Sequence, residues 1–574
     1  MFYLDFKKAD CKNCYKCLRS CPVKAIDMRN NQAKIVENRC ILCGHCTHVC
    51  PQNAKSVHDD TAVIERLLSK KRVIASVAPS FVSSFGVRSF EPFKNALLAL
   101  GFADAFETSE GAAAVTAEYK KLLARGDFDN FITSACPAVN RAIALYHHDL
   151  LKYLAPVVTP MVAHAKILKS RYPDAEIVFI GPCIAKKREA RESGVLAGAL
   201  TFEELAALLT KRGIKIEETV KLDEAAASSD TETAEKNGKG KENIKDGKSL
   251  RAKFYPISRG IIKSFDEFPQ NYEYIAVDGV SRLDDSIDDI KNVKGVFLEI
   301  NACEGACING PCIIKRRGGA VEANVLVRNY TASAPADLIP EVTPSLVYEH
   351  KPLRPADRVP TEEEIKEVLA RTGKTKPSDE LNCGACGYST CREKAWAVIN
   401  GYAETEMCVP YMREKAESMS NVIIENSPNG LIVCDADLKI SEINRMAQSL
   451  TGVDDPEYIF DIMDPTDVFK AAESERAVHV QKLRIDKTGR FVDVKIVPLK
   501  NEHALLIVLT DITERVNYDE ALNKVKHDTL NVTDSVIEKQ MRVAQEIASL
   551  LGETTAETKT ALLKLKKAMT EGDN

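Results

Sequence analysis

Cysteines are the residues of this chain with the clearest chemical potential. The 574-residue sequence contains 18 of them, and nearly all stand in compact groups or at Gly/Pro turns. The start of the chain has no apolar secretion segment, so we expect a cytoplasmic location. In a reducing compartment, grouped cysteines are more often metal ligands than disulfides. The sequence therefore predicts several metal–thiolate sites.

Two copies of one motif, C-x2-C-x2-C-x3-C-P, occupy the N-terminal segment. The motif resembles the bacterial two-cluster ferredoxin pattern, in which the fourth cysteine of each copy binds the other cluster. Zinc knuckles or a disulfide knot are the alternatives, and soft thiolate ligands favour iron–sulfur centres. The resemblance implies electron transfer through two [4Fe–4S] clusters, one on Cys11, Cys14, Cys17 and Cys50 and the other on Cys40, Cys43, Cys46 and Cys21.

Four further cysteines come from three separated segments. The segments are TSACP with Cys136, GPCIAKKRE with Cys183, and EINACEGACINGPC with Cys303 and Cys307. Each cysteine follows an apolar run at a turn, where the ends of strands and helices converge on a cleft. Together the four are enough to hold one [4Fe–4S] cluster.

At these residues, and over about residues 70–350, the chain resembles the H-domain of [FeFe]-hydrogenases, whose signatures are TSCCP, PC-x-x-K-x-x-E and MAC-x-G-G-C. The resemblance implies an H-cluster, in which the four cysteines hold the cubane. Cys307 would also bridge to a diiron unit that carries CO, CN⁻ and an azadithiolate. The implied substrates are H₂ and protons.

The resemblance also assigns residues around the diiron unit. Lys186 matches the lysine that donates a hydrogen bond to one cyanide, and Glu189 matches the glutamate three residues later. A buried cation beside a cyanide is physically sensible, because charge-assisted donors are strong in a dry pocket. The backbone of Ala78, Pro79 and Ser80 matches the strand end that cradles the other cyanide.

The chain departs from the family pattern at Ala135. Fast members have a cysteine there, and its thiol relays protons, whereas a methyl group cannot. Losing a positioned acid or base typically costs ~10²–10⁴ in rate. Gly181 and Asn301 also replace two methionines. We expect slow H₂ turnover, with Glu118 as a candidate for a residual proton path.

Two plainer interpretations of this region stay open. The four cysteines could be structural, or they could hold a cubane without the diiron unit, as in hydrogenase-like iron–sulfur assembly proteins. Lys186 together with Cys307 favours the full H-cluster, because a lysine buried there has no other evident partner. Cys312 is an extra cysteine, interpreted as a turn thiol.

A second cysteine module spans 361–412 and is spaced C-x2-C-x4-C-x16-C. It resembles the single [4Fe–4S] module of corrinoid iron–sulfur and electron-transfer complex subunits, and a zinc site is the alternative. As a cluster it would connect the hydrogenase domain electronically to the segment that follows. The ligands would be Cys383, Cys386, Cys391 and Cys408.

The C-terminal part alternates apolar and polar residues over 413–517, as an antiparallel sheet requires. This segment resembles a PAS domain, including the Asp511-Ile512-Thr513 exit, and Cys434 is assigned to its core. No residue indicates a haem or flavin ligand. Beyond it, 518–574 is helical, and one stripe predicts a dimerisation or docking element, with a helical hairpin as the alternative. That stripe consists of Ile537, Met541, Ala544, Ala548 and Leu551.

The elements that must position these groups give a multidomain α/β and α+β fold class. We predict a ferredoxin-like domain, a two-lobed α/β H-domain with a disordered insertion, a small helical Fe–S module, an α+β PAS domain and C-terminal helices. A net charge of -5 argues against nucleic acid as a partner. No apolar run reaches the ~20 residues that span a bilayer. The predicted bounds are 1–58 for the ferredoxin-like domain, 70–222 with 250–350 for the H-domain and 223–249 for the insertion. They are 361–412 for the Fe–S module, 413–517 for the PAS domain and 518–574 for the C-terminal helices.

Together these features resemble a sensory, group C, [FeFe]-hydrogenase. The resemblance implies slow reversible H₂ oxidation, signalling through the clusters to the PAS domain, and a kinase or phosphatase partner, because no ATP-binding motif is visible. An electron carrier such as ferredoxin and a homodimer through the PAS domain and helices are further partner predictions. The alternatives are a metabolic ferredoxin-linked hydrogenase and a non-catalytic iron–sulfur scaffold.

Overall fold

The computed structural model divides into two compact units, Met1–Tyr411 and Met412–Asn574. Within them it describes residues 3–6, 10–216, 249–314, 319–339, 344–355, 357–499, 504–551 and 555–570. The insertion predicted at 223–249 lies outside the described residues except for Ser249. No helix among the described residues has the length and apolarity to cross a lipid bilayer.

The N-terminal segment is built from two short antiparallel ribbons. Leu4–Phe6 pairs with Lys55–Val57, and Ile26–Arg29 pairs with Gln32–Ile35. Each cysteine motif contributes one short helix, Lys16–Arg19 or His45–Val49. With so little regular structure, a buried apolar set fixes the loops, and it includes Leu18, Ile26, Ile41 and Leu42.

Two parallel sheets form the centre of the first unit. The first has the strand order Asp104–Glu107, Val73–Val77, Glu176–Gly181, Gly198–Thr201. The second has the order Glu273–Asp278, Val296–Asn301, Phe131–Ile132. Val73–Val77 and Val296–Asn301 are buried along their whole length, as expected for strands covered on both faces.

Helices cover these sheets and fill the space between them. Glycine ends several of them, for example Gly126 in the left-handed conformation after the longest one. In chain order they are Thr61–Leu68, Phe81–Phe85, Glu91–Leu100, Ser109–Arg125, Pro137–Tyr146, Pro160–Arg171, Ile184–Glu192, Phe202–Lys211, Gly260–Ser264, Leu283–Asp289 and Gly319–Ser333.

The second cysteine module is helical, as predicted. Its helices Glu362–Ala370 and Cys391–Ile399 begin with capping boxes formed by Thr361 with Glu364 and by Thr390 with Glu393. The module packs on the N-terminal segment, because a Cβ on Gly387 would lie 2.9 Å from Leu18 Cγ. The helix Val409–Glu425 begins directly after Cys408.

The second unit contains a five-stranded antiparallel sheet. Its order is Ile440–Ile443, Gly430–Asp435, Ala504–Asp511, Phe491–Leu499, Val478–Arg484. Helices Arg445–Thr451 and Thr466–Ser474 accompany it. Cys434 is 0% exposed within the core of this sheet, which agrees with its interpretation as a packing residue.

Two helices, Thr513–Leu551 and Thr555–Thr570, end the described chain and contact one another. In the predicted stripe, Ile537, Met541 and Ala544 are half-buried. A different face carries exposed apolar side chains, including Leu522, Val525, Val532, Val536 and Val543. The mixture of parallel α/β sheets and an antiparallel α+β domain confirms the predicted fold class.

Candidate functional site

Four cysteines from three strand ends line a single cavity of the central domain. Cys136 and Cys183 are the N-caps of helices Pro137–Tyr146 and Ile184–Glu192, a few residues after the strands Phe131–Ile132 and Glu176–Gly181. Cys303 follows the strand Val296–Asn301, and Cys307 lies in the next 3-10 turn. All four line one cavity of about 90 Å³. The carboxyl ends of both parallel sheets thus converge on this site.

Burial and mutual proximity make it unfavourable for three of these thiols to lose their protons. Burial raises the pKa of Cys183 to about 11, and the nearby Cys136 adds to the shift. Burial also raises the pKa values of Cys303 and Cys307, with further contributions from the other thiols. Thiolates so placed require a cationic centre among them, because metal binding is what displaces thiol protons.

The spacing of the donors indicates what kind of centre fits. Across the described residues, no group of three or more Cys, His, Asp or Glu side chains is arranged to hold a single metal ion. Four thiols that line one cavity supply the ligand set of a [4Fe–4S] cluster.

Lys186 lies beside the thiols, one helical turn after Cys183. The expectation that this lysine has no other partner is wrong, because its Nζ is 3.3 Å from Glu189 Oε2 and donates a 3.4 Å hydrogen bond to Thr159 Oγ1. Burial lowers the pKa of Lys186, but the charges of Glu189, Cys183 and Cys307 outweigh it and raise the pKa above its usual value. The side chain, 13% exposed, is held as a cation at the wall of the cavity.

The turn Ala78–Pro79–Ser80 forms another part of the wall, directly after the strand Val73–Val77. Ser80 Oγ is buried and has no hydrogen-bond partner. A buried hydroxyl without a partner is costly, so it indicates a polar ligand within the cavity. Lys186 and Ser80 are suited to anionic diatomic ligands on a metal unit, and the cavity residues fit an H-cluster.

The three departures noted in the sequence all line this cavity or adjoin it. Ala135 contributes only a methyl group to the wall. Asn301 is a lining residue, and its Nδ2 donates a 3.1 Å hydrogen bond to Asp278 Oδ1. A Cβ on Gly181 would lie 2.6 Å from the Phe179 ring. The ring therefore occupies the space that a side chain at position 181 would need.

Sequence reasoning missed a buried polar network that begins at the cavity wall. Tyr255 lines the cavity, and its hydroxyl is 2.8 Å from Thr116 Oγ1, which is 3.0 Å from Ser264 Oγ. Glu299, 0% exposed, accepts a 3.0 Å hydrogen bond from Ile262 N, and its Oε1 has no partner. The sequence does carry one signal for Glu299, because a carboxylate stands there within the apolar run VFLEIN.

Glu299 is a much weaker acid than an ordinary glutamate. Burial raises its pKa to about 8, and the charge of Asp278 adds to that effect. Its charge in turn contributes to the raised pKa of Tyr255, behind burial and Tyr119. Glu118, the candidate from the sequence, instead pairs with Lys121 at 2.6 Å and is 27% exposed. Glu299 thus favours its neutral, protonated form more strongly than an ordinary glutamate does.

The N-terminal cysteines form two groups. Cys11, Cys14, Cys17 and Cys50 line one small cavity. In the other group, burial raises the pKa of Cys43, and the nearby charges of Cys21, Cys46 and Cys40 raise it further. Backbone amides support the sulfurs in both groups, with 3.4 Å contacts from Ala25 N to Cys21 Sγ, Leu42 N to Cys40 Sγ and Ala54 N to Cys50 Sγ.

The second group adjoins the central site. Cys43 and Cys303 line a common cavity. Gly44, at φ 74°, packs so closely that a Cβ there would lie 2.3 Å from Pro311 Cβ. The loop around Cys43 thus touches the segment that carries Cys303 and Cys307.

The second cysteine module encloses its own cavity. Lys374 and Lys394 share this cavity with the thiols, and both are buried, at 9% and 6% exposure. Lys374 Nζ donates a 3.4 Å hydrogen bond to Cys408 Sγ. Burial lowers the pKa of Lys394, while the charges of Cys408 and Cys386 oppose that effect. The four thiols lining the cavity are Cys383, Cys386, Cys391 and Cys408.

The module is joined to the N-terminal segment by aromatic and ionic contacts. The Arg39 guanidinium lies 4.7 Å from the centre of the Trp396 ring and pairs with Asp357. Asp357 also accepts a 2.7 Å hydrogen bond from the Tyr402 hydroxyl. The module cavity is therefore fixed relative to the N-terminal cysteines.

The fold and the thiol sites together define a multidomain iron–sulfur protein. Four family models then match successive segments: a 4Fe-4S dicluster domain over 3–65, the iron only hydrogenase large subunit, C-terminal domain, over 71–311, an Fe-S cluster family over 379–410 and a PAS domain over 419–481. Successive segments of the chain are thus similar to a dicluster iron–sulfur domain, an iron-only hydrogenase domain, a second iron–sulfur module and a PAS domain.

Similar solved structures include [FeFe]-hydrogenases and PAS domains. HydA(deltaEFG), from work on stepwise H-cluster assembly, is 17% identical, with 48% of this chain and 88% of that chain covered and a TM-score of 0.35. A variant of HydA1 from Chlamydomonas reinhardtii is 16% identical, with the same coverages and a TM-score of 0.34. The PAS domain of an HTR-like protein from Haloarcula marismortui is 23% identical, covering 18% and 97%, with a TM-score of 0.16. No curated protein matches the chain.

Proposed function

We propose that this protein is an H₂-sensing [FeFe]-hydrogenase that oxidises H₂ slowly and reversibly and reports its redox state through the PAS domain. The observation that carries the proposal is the single cavity lined by four thiols, the Lys186 ammonium and the methyl group of Ala135. The first two features suit an H-cluster, and the third removes the fast proton relay.

The H-cluster, a [4Fe–4S] cubane joined to a diiron unit with CO, CN⁻ and azadithiolate ligands, would supply H₂ binding and heterolytic splitting when bound. Cys307 would join the two parts of the cluster. Lys186, held by Glu189, and the turn Ala78–Ser80 would bind the cyanides and fix the orientation of the diiron unit. The cubane ligands would be Cys136, Cys183, Cys303 and Cys307.

Each H₂ oxidised yields two protons and two electrons. Ala135 cannot accept either proton, so proton release must use slower groups. The network of Tyr255, Thr116 and Ser264 begins at the cavity wall, and Glu299 has a pKa of about 8, near the optimum for an acid–base group at neutral pH. These residues are the proposed slow exit for protons.

The electrons would leave through the group around Cys43, because this group adjoins Cys303. They would then occupy the other N-terminal cluster and the module cluster, or pass to a carrier such as ferredoxin. The resulting redox state would bias the PAS domain and its helices, and a kinase or phosphatase would read that change. A homodimer formed through the PAS domain and helices would transmit it.

Infrared spectroscopy of the maturated full chain tests the proposal. Bound CO and CN⁻ stretch where protein does not absorb, so their bands are expected, together with low H₂ turnover. High turnover would favour a metabolic ferredoxin-linked hydrogenase. Absence of the bands after maturation would leave a non-catalytic iron–sulfur scaffold.

A further inference from the structure

Two lysine side chains are buried against the thiols of the second cysteine module. The Lys374 Nζ is fixed by Thr372, through a 2.9 Å hydrogen bond to the carbonyl and a 3.3 Å bond to Oγ1, and it also donates to Cys408 Sγ at 3.4 Å. The Lys394 Nζ donates a 2.9 Å hydrogen bond to the Thr405 carbonyl. Both ammonium groups are therefore held in place beside the cavity.

The charges of these lysines are not balanced by carboxylates. Within the described part of the chain, the polar partners of both Nζ atoms are neutral oxygens and one cysteine sulfur, with no ion pair. An uncompensated buried cation is strongly unfavourable, and two in one cavity also repel each other. An anion within the cavity would balance both charges and keep both lysines protonated.

A [4Fe–4S] cluster held by four thiolates is such an anion, and it gains one more negative charge on reduction. Nearby cations stabilise the reduced form more than the oxidised form, because Coulomb energy scales with the product of the charges. Buried charges are screened far less than exposed ones. Hydrogen bonds to cluster sulfurs act in the same direction.

We propose that Lys374 and Lys394 raise the reduction potential of the cluster bound by Cys383, Cys386, Cys391 and Cys408, so that this cluster accepts and keeps one electron delivered from the N-terminal clusters. This proposal rests on the proposed function, in which the module cluster would hold an electron that H₂ oxidation releases. Each electron stored oxidises a donor cluster by one electron, and H₂ is the ultimate reductant.

The test is a redox titration of the full chain with reconstituted iron–sulfur clusters and no diiron unit, followed by electron paramagnetic resonance. The transition that disappears in Cys383→Ala identifies the module cluster. Lys374→Met and Lys394→Met, which keep the apolar stem and remove the charge, are each expected to shift that transition to lower potential and leave the others unchanged. Lys376→Met is the matched control, because Lys376 is exposed on the same segment and should shift nothing.

Unchanged potentials in both buried-lysine variants, or equal shifts in the Lys376→Met control, would overturn the proposal. If Lys374→Met loses iron, the same titration is made on two other variants. Lys374→Arg, which keeps the charge, must keep the wild-type potential, and Lys394→Met must lower it. The titration needs no H₂ chemistry. Failure of the sensing proposal, seen in the infrared spectrum, is therefore separate from failure of this one.

Discussion

Gly44 and Pro311 are in direct contact, and a Cβ at position 44 would lie 2.3 Å from the proline Cβ. The loop of the second ferredoxin-type motif thereby rests on the segment that follows Cys307. Because Gly44 also has φ 74°, the position excludes a side chain on both steric and conformational grounds.

The first prediction concerns this contact. Gly44→Ala should destabilise the protein by clearly more than the ~1 kcal/mol of a left-handed alanine, because Pro311 must also move. Gly194→Ala is the control, since Gly194 has φ 66° and open space around it. Thermal unfolding of both variants measures the difference, and equal melting temperatures would contradict the contact.

Lys186→Met should impair the diiron unit and leave the cubane in place. Loss of one preorganised donor costs ~10²–10³ in rate, and the cyanide bands should shift or disappear. Arg188→Met is the control on the same helix, because Arg188 pairs with Glu192 instead of facing the cavity. Infrared spectra and iron content measure both effects. A wild-type spectrum in Lys186→Met would refute the assigned role.

Ala135→Cys should raise H₂ turnover. A thiol at the cavity wall supplies the missing proton relay, and the expected gain is ~10²–10⁴. Ala135→Ser adds one polar atom at the same place without a group that ionises near neutral pH, so its turnover should stay close to that of the native chain. Comparison of H₂ oxidation rates decides, and equal gains for both variants would point to packing instead of proton transfer.

Glu299→Gln should reduce the residual turnover, because glutamine cannot exchange a proton. A fall of at least ~10²-fold is expected if Glu299 carries most of the proton flux. Glu304→Gln is the control, since Glu304 is exposed just after Cys303. Rates of H₂/D₂O exchange measure proton transfer directly, and an unchanged rate in Glu299→Gln would place the proton path elsewhere.

Glu299 also predicts a pH dependence of stability. Burial raises its pKa from 4.5 to about 8, so the native state holds this proton where the unfolded state has released it. Its contribution is fully present below pH 4.5 and is lost as the pH rises through 8. The free energy of unfolding should therefore fall less over this window in Glu299→Gln than in the native chain, as denaturant titrations would reveal.

The sequence allowed the domain classes to be predicted because each carries a strong local signal. The two C-x2-C-x2-C-x3-C-P motifs, the continuous apolar strands such as Val73–Val77, and the alternation around Cys434 are all patterns along the chain. The parallel and antiparallel sheets follow from these patterns and from the connections between strands.

The sequence could not reveal groups that meet only after folding. Lys374 is 34 residues from Cys408, and Tyr255 reaches Thr116 across 139 residues. The apolar stripe of the C-terminal helix was ambiguous for the same reason. Ile537 and Met541 are half-buried, whereas the exposed valines lie on another face of the helix. Helical periodicity alone could not show which of these two apolar faces is the more buried.

Phe179 and Gly181 face each other across one pleat, and the ring of the first fills the space that a side chain on the second would need. The two positions therefore behave as an epistatic pair. A methionine installed at 181 alone would collide with the ring, whereas joint replacement with a smaller residue at 179 would vacate room for it. A side chain at 181 therefore requires the Phe179 ring to move, and its cost should be smaller when a smaller residue stands at 179.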